Sequence, residues 1–397
     1  MMVDVTALRH QTGVQLCLDC GKCSALCPLA GFDGFSAAGV VTIRDDGARL
    51  ARLAVPVQRC LTCGYCELRC PQGVHFTDFV MGLRAGLSDD LAAPCPHGQV
   101  LQTAARLEID AAGSRDLSWL DDDLAVAEKG EIALFVGCLP LFDALFESTL
   151  GVRTLDIARA AIRALNGLGI EPVLVAEERC CGHDLLWSGD RDGFVAHAEA
   201  NAASFRERGV ERILTTCAEC CRTWRLDYPD AVPEYRPKVE HIVEFLDERL
   251  GTGDLHFGTE PEEAVVTYQD PCRLGRQLGV VEAPRHLLDS LPGVDLVEMS
   301  RCGWEAACCG TAGFLHCDAD SRRLQAERLG EAGATGAETL LTACPKCLVH
   351  FACAQAEDRR RGRSSPPIEV QDFTVFTAAR LAAATSPEAR ERTETLT

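Results

Sequence analysis

Residues 211–221 read ERILTTCAECC, and residues 338–347 read ETLLTACPKC. Each is a short β-prone run that ends on a Cys-x2-Cys pair, Cys217 with Cys220 and Cys344 with Cys347, so the interval from Cys217 to Cys344 equals that from Cys220 to Cys347. Ligand-type side chains gathered at the carboxyl ends of parallel strands are how open α/β sheets build their sites. Working outward, the same order precedes each run. EIALFV (131–136) leads to Cys138 and EPVLVA (171–176) to Cys180-Cys181-Gly182; AVVTYQ (264–269) leads to Cys272 and VDLVEMS (294–300) to Cys308-Cys309-Gly310. The intervals from Cys138 to Cys272 and from Cys180 to Cys308 are nearly the same as those of the CxxC pairs. Their near constancy predicts an internal duplication: two similar lobes, 131–258 and 259–385, each an α/β unit with a parallel sheet, packed around a shared site. TLDIARAAIRALNGL (154–168) has the helical spacing such a unit needs before its glycine stop.

The N-terminal cysteines follow another rule. Cys17-x2-Cys20-x2-Cys23-x3-Cys27-Pro28 and Cys60-x2-Cys63-x2-Cys66-x3-Cys70-Pro71 have the spacing of a two-cluster ferredoxin, in which three close thiolates wrap one cubane and the fourth crosses to the other. On that logic Cys17, Cys20, Cys23 and Cys70 hold one 4Fe-4S cluster, and Cys60, Cys63, Cys66 and Cys27 the second. Zinc ribbons use two paired CxxC knuckles instead, and no CxxC here is followed by the histidine of a c-type haem site. Residues 1–100 therefore read as an α-helical, two-cluster ferredoxin-like domain, 101–130 as a connector, and 386–397 as a polar, disordered tail.

Composition narrows the function. The chain has 397 residues, 23 cysteines, and 59 acids against 39 bases for a net charge of −20, with only Lys22, Lys129, Lys238 and Lys346 as lysines. Such a surface repels nucleic acid and anionic lipid. The odd cysteine count, the length, and an opening MMVDVTALRHQTG without a signal-like apolar run argue against a secreted disulfide scaffold. The most apolar stretch, 132–146, carries Asp143 and is shorter than the roughly 18 residues of a span. A cytoplasmic protein without direct membrane insertion is expected, with any peripheral attachment coming through a partner subunit.

Each lobe offers five thiols, one more than a cubane takes, and adjacent cysteines suit a larger or distorted cluster. Gly182 and Gly310 are expected to let the backbone approach its core closely. Together with the flanks TTCAECCRTWRLDYPD (215–230) and YQDPCRLGRQLGV (268–280), these motifs resemble the catalytic iron-sulfur subunit of heterodisulfide reductase in its fused form, a ferredoxin-like domain followed by two Rossmann-like CCG domains. The resemblance covers Cys17 to about His350. It implies a noncubane 4Fe-4S cluster held by Cys138, Cys180, Cys181, Cys217 and Cys220, and another held by Cys272, Cys308, Cys309, Cys344 and Cys347, which makes these ten the expected catalytic residues. Arg273 stands where relatives often have histidine, and Thr311-Ala312-Gly313 replaces a more glycine-rich stretch.

The implied reaction is reduction of a low-molecular-weight thiol cofactor's disulfide, which takes two electrons and two protons. Ferredoxin-type clusters near −400 mV and disulfides near −200 mV differ by about 200 mV, roughly 9 kcal/mol for the electron pair, so the direction is downhill. The chain has neither a strand-linked GxGxxG nor a Walker loop, so electrons are expected from a partner, a membrane cytochrome b or a flavoprotein. The other reading is a relay: related iron-sulfur subunits serve flavin-dependent 2-hydroxyacid and glycerol-3-phosphate dehydrogenases and pass electrons toward quinone. In those relatives CCG cysteines are often missing, whereas both sets are complete here.

Smaller signals have plainer readings beside the functional ones. His183, after the first CCG, is a candidate proton source for a product thiolate or a histidine hydrogen-bonded for structure; His316 is a weaker candidate. Arg179, Arg222, Arg273, Arg276 and Lys346 flank motif cysteines and either offset cluster charge or also grip an anionic thiol. Cys95, Cys221, Cys302, Cys317 and Cys353 read as ordinary free thiols. RRRGRSSPP (359–367) reads as a solvated loop before a last strand and helix, IEVQDFTVFTAARLAAA.

Overall fold

The computed structural model describes residues 3–30, 36–44, 54–87, 100–110, 113–258, 263–311, 317–363 and 366–381. It is an α/β protein with a helical N-terminal region and two parallel sheets. The first sheet has the order β1 (Ile132–Phe135), β2 (Arg212–Thr215), β3 (Lys238–His241). The second sheet has the order β5 (Val294–Leu296), β4 (Ala264–Gln269), β6 (Thr339–Thr342), β7 (Glu369–Asp372). Ile132 registers with Arg212 and Arg212 with Lys238; Val266 registers with Thr339 and Thr339 with Glu369. Parallel pairing forces a crossover between neighbours, and helices make it. Strands covered on both faces read as apolar runs: Ala133, Leu134, Phe135, Ile213, Leu214, Leu340 and Leu341 are all buried.

The duplication is visible in the packing. Helices Leu155–Gly167 and Glu282–Asp289 occupy equivalent places in the two lobes, and so do Ile242–Gly251 and Phe373–Ala378, each following the last strand of its lobe. Leu155–Gly167 packs on Phe373–Ala378, while Ile242–Gly251 packs on Glu282–Asp289. Each contact is the other with the lobes exchanged, so a pseudo-two-fold relates them. One apolar core runs from Phe79 and Val57 through Leu134 and Leu165 to Tyr268, Leu340 and Phe373. A second, aromatic cluster of Phe135, Phe194, Phe205, Trp224 and Tyr228 lies behind the first lobe's thiols, with the Trp224 and Tyr228 rings 3.9 Å apart.

Three expectations need correcting. EPVLVA forms no full strand: Val173 makes isolated bridges to Ala133 and Ala127, because Pro172 has no N–H to donate and the chain turns at Val175–Glu178 toward the site. Residues 101–130 are more than a connector, since Val100–Asp110 is a helix packed on the first lobe and Ala127 bonds to Pro172 and Leu174. Arg359 and Arg360 close the helix Pro345–Arg360 instead of opening a loop. Cys95, His316 and the tail from Ser386 lie outside the described residues.

The helical region is clamped to the lobes by buried cations. Arg84 on the helix Phe76–Ala85 donates to the carbonyls of Val57 (3.2 Å), Gln58 (3.0 Å), Cys60 (2.6 Å) and, across the junction, Trp187 (2.8 Å). Gly189 lies against it at φ +103°, where a Cβ would meet the Arg84 backbone at 2.7 Å. Arg84→Met strands four buried acceptors and is expected to lower stability by about 3 kcal/mol. Gly189→Ala, strained and overpacked, is expected to cost at least about 2 kcal/mol. Chemical unfolding of the anaerobic protein measures both.

Candidate functional site

The two N-terminal runs fold as a pair. Helices Lys22–Leu26 and Tyr65–Leu68 pack together, and each starts from a left-handed glycine, Gly21 at φ 72° and Gly64 at φ 74°. Just before these glycines, Asp19 and Thr62 also have positive φ, 51° and 46°. These turns aim backbone N–H groups at sulfur: Asp19 N lies 3.4 Å from Cys17 Sγ, and Thr62 N lies 3.3 Å from Cys60 Sγ. At Cys60 this bond lowers the thiol's pKa, against the larger effect of burial.

The fourth cysteines cross over. A cavity of about 530 Å³ is lined by Cys17, Cys20 and Cys23 together with Cys66 and Cys70. Another of about 340 Å³ is lined by Cys60, Cys63 and Cys66 together with Cys27. Cys27 thus leaves its sequence neighbours for the other run, and Cys70 does the reverse. Burial, with Cys63 and Cys60 nearby, pushes the Cys27 thiol up; burial alone dominates at Cys60, raised to about 11.

The ten thiols of the lobes form one continuous series. In the first lobe Cys138 Sγ lies 3.2 Å from Cys180 Sγ; Cys180 touches Cys181, Cys181 touches Cys220, and Cys220 touches Cys217. In the second, Cys347 Sγ lies 3.3 Å from Cys309 Sγ, with Cys308 between Cys309 and Cys272, and Cys344 against Cys347. The series joins where Cys217 and Cys344 lie close enough to interact across the lobe boundary. Its far end reaches back toward the N-terminal region, because Cys63 lies close enough to Cys272 and Cys308 to interact electrostatically. A cavity of about 320 Å³ is lined by all five first-lobe thiols, by His183, Asp184 and Glu219, and by Pro345 and Lys346 of the second lobe.

The polar side chains at this boundary are buried and mutually paired. Lys346 Nζ donates to Asp184 and forms an ion pair with Glu219. Burial pulls its pKa down, but the two carboxylates outweigh burial and hold it well above the ordinary lysine value. Arg273 Nε lies 3.3 Å from His183 Nε2, so that nitrogen is the acceptor, and Nδ1–H points at Asp184 (3.0 Å) and Glu219 (3.2 Å). Burial lowers the His183 pKa far below its usual value; Glu219 opposes this, while Lys346, Arg273 and Arg222 add to it. His183 is therefore a neutral histidine with both nitrogens engaged. Arg179 donates to Ile109 O, Arg222 pairs with Asp227, and Arg276 donates to Trp304, Ala306 and Cys63 carbonyls, so these heads are also bonded within the protein. Cys221 is wholly buried and raised to about 12 by burial, the profile of an inert thiol.

Comparison with known proteins agrees with this geometry. Residues 16–75 match the 4Fe-4S dicluster domain, and residues 132–224 and 266–352 each match the cysteine-rich domain, CCG. The chain belongs to the dicluster–CCG iron-sulfur proteins. The D subunit of the dihydromethanophenazine:CoB–CoM heterodisulfide reductase of Methanosarcina acetivorans is 34% identical over 274 residues, 67% of this chain and 62% of the relative. The B subunit of the CoM/CoB fumarate reductase of Methanothermobacter marburgensis is 32% identical over 225 residues, 55% of this chain and 41% of the relative. FadF of Bacillus subtilis, named a probable iron-sulfur-binding oxidoreductase, is 30% identical over 199 residues, 49% and 28% respectively. The match spans no more than 62% of these relatives' lengths. Among the described residues, no helix is long and apolar enough to cross a membrane.

The donor chemistry suits the clusters this dicluster–CCG protein would carry. All 22 described cysteines are unpaired, and neighbouring thiols and burial raise Cys66, Cys138, Cys181, Cys220, Cys272 and Cys347 well above ordinary values. Buried thiols ionise when a cation shares the site, which iron supplies. The two CCG glycines are also tightly packed on the side where a Cβ would sit. Gly182 (φ +78°) and Gly310 (φ +90°) would drive a Cβ into Phe194 at 2.9 Å and Leu324 at 3.0 Å. The glycine that yields space to a thiol is Gly137, whose Cβ would lie 3.2 Å from Cys220 Sγ.

Sequence reasoning missed the group that sets the first-lobe loops. Glu178 accepts from Gly137 N (2.8 Å) and Val136 N (3.3 Å), and Glu108 accepts from Cys180 N (2.8 Å). Arg115 joins them, 3.1 Å from Glu178 and 3.0 Å from Glu108. Arg115→Met leaves Glu178 buried without its counter-charge and is expected to cost about 3 kcal/mol. Arg106→Met breaks a half-exposed pair with Asp190 and is expected to cost under about 1 kcal/mol. Unfolding midpoints compared side by side test the contrast.

Proposed function

We propose that this chain is an iron-sulfur oxidoreductase subunit of the heterodisulfide reductase type. Cys17, Cys20, Cys23 and Cys70 hold one cubane 4Fe-4S cluster, and Cys60, Cys63, Cys66 and Cys27 hold a second. Cys138, Cys180, Cys181, Cys217 and Cys220 hold one noncubane cluster, and Cys272, Cys308, Cys309, Cys344 and Cys347 the other. Bound clusters supply one-electron transfer and iron that a thiol sulfur can reach. The observation that carries the reading is the meeting of two complete five-thiol sets at Cys217 and Cys344. A disulfide RS–SR′ plus two electrons and two protons gives RSH and R′SH; two adjacent sites offer one electron and one sulfur position each. Electrons come from a partner subunit, a cytochrome b or a flavoprotein.

The protein's own residues set the direction. Cys17 and Cys20 are the exposed cysteines among those described, so a partner meets that run first. The Cys27, Cys60, Cys63 and Cys66 set lies inward of it, and Cys63 faces the second lobe. His183, Asp184, Glu219 and Lys346 give the first-lobe cavity its polar wall. The relay reading is favoured by one observation, that only Cys138 and Cys272 of the ten lobe thiols escape full burial; a relay into quinone needs no more than that.

Anaerobically purified protein is expected to carry about 16 iron, four per cluster. About eight iron, or stoichiometric zinc, would remove the CCG assignment. Cys27→Ser is expected to perturb the cluster of Cys60, Cys63 and Cys66 and spare that of Cys17, Cys20 and Cys23, as read by electron paramagnetic resonance. Oxidation with an isotope-labelled thiol is expected to broaden the CCG signal, and Cys180→Ala or Cys308→Ala to abolish disulfide cleavage while the cubanes still reduce. Neither broadening nor turnover across a disulfide panel, with rapid uptake from a flavoprotein dehydrogenase, leaves the relay.

A further inference from the structure

Glu219 and Lys346 occupy one position in two copies. Each is the residue before the last cysteine of its CxxC loop, in Cys217-Ala218-Glu219-Cys220 and Cys344-Pro345-Lys346-Cys347, and the same interval separates them as separates the cysteines around them. Both side chains are buried, Glu219 5% and Lys346 4% exposed, and they pair with each other across the lobe boundary. A strictly symmetric duplicate would set two like side chains face to face at this pseudo-two-fold, and two like charges would repel there. Here the copies have diverged to opposite signs. Asp184 gives Lys346 a second carboxylate, whereas the counterpart of Asp184 in the second copy is Ala312. Lys346 is also one of only four lysines in a chain whose other bases are arginine, apart from its histidines.

We propose that the Glu219–Lys346 pair is a latch that holds the two CxxC loops in register, keeps Cys217 against Cys344, and so fixes the separation of the two thiol sets. These are positioning residues, since neither carries a ligand thiol. Fixed separation matters because a disulfide is only about 2 Å long, so two sites that share one must be held together closely. Registry is the best-attested use of a buried ion pair, whose contribution to stability alone is small or unfavourable. The inference rests on the reading of the ten thiols as cluster ligands.

The test uses the full chain, purified anaerobically, as Lys346→Glu, Glu219→Lys, and the double charge exchange Glu219→Lys/Lys346→Glu, built together with Asp184→Asn so that the carboxylate moved to position 346 does not meet that of Asp184. Three quantities are read: iron per chain, hydrogen-exchange protection of residues 217–222 and 344–349, and the rate at which first-lobe signals follow second-lobe signals during reduction. Each single variant brings like charges together, and is expected to lose protection in both loops and either CCG iron or about tenfold or more in that rate. The eight cubane irons are expected to stay. The double exchange is expected to restore protection, iron and rate to within a few fold of the parent. Single variants with parental protection, iron and rate overturn the latch, and so does a double variant no better than the worse single. A single variant that fails to fold leaves the double variant to decide in the same way. A parent with only eight iron would instead strike the cluster reading itself, a separate result.

Discussion

The site depends first on one buried guanidinium. Arg273, next to Cys272 in the second lobe, donates to both Thr62 O and Thr62 Oγ1 of the second ferredoxin-type run, with 2.7 Å to the hydroxyl. The same head reaches His183 of the first lobe and stacks over the Trp187 ring at 3.9 Å. Three parts of the chain that are far apart in sequence therefore meet on a single planar cation, whose fixed fork suits several acceptors at once. Gln277, on the helix turn that follows, repeats the link to Thr62 O at 3.0 Å. With these bonds in place, the thiols of the second run and those of the second lobe share one buried neighbourhood, and the order of the thiol series follows.

Duplication explains why ten thiols converge, and divergence explains why the result is not symmetric. The paired helix contacts repeat faithfully, but the first lobe alone has a histidine and an aspartate after its CCG, and its CxxC runs into a π-helix, Thr223–Asp227, where the second lobe continues as a regular helix. Single-turn π segments mark sites where a helix has been re-aimed. Here it sets Trp224 and Tyr228 behind the thiols and sends Arg222 to Asp227 and Gln277. The two lobes share a scaffold and differ in the polar chemistry they present to it.

What the sequence makes legible is what repeats. Strands such as ERILTT and ETLLTA, the CxxC pairs and the ferredoxin spacing are local patterns, and the structure places their cysteines together. The crossing of Cys27 and Cys70 was readable for the same reason, since the spacing rule contains it. Glu108, Arg115 and Glu178 were not readable: they are ordinary charged residues scattered along the chain, and only folding brings them to Cys138 and Cys180. EPVLVA looked like its partners because apolar alternation reports burial, while Pro172 and the turn at Glu178 decide the pairing. The basic residues beside the cysteines suggested a grip on an anion, but most of those heads are satisfied inside the protein.

The uneven burial of the cysteines also sets how the protein would age in air. Cys17 and Cys20 are open to solvent, while Cys60 and Cys63 and eight of the ten lobe thiols are buried. Dissolved oxidants act on accessible, thiolate-bearing sulfur first. Damage therefore starts at Cys17 and Cys20 and reaches the buried thiols of the lobes last, so a partly oxidised sample is expected to be heterogeneous at its N-terminal run while its lobes are still intact.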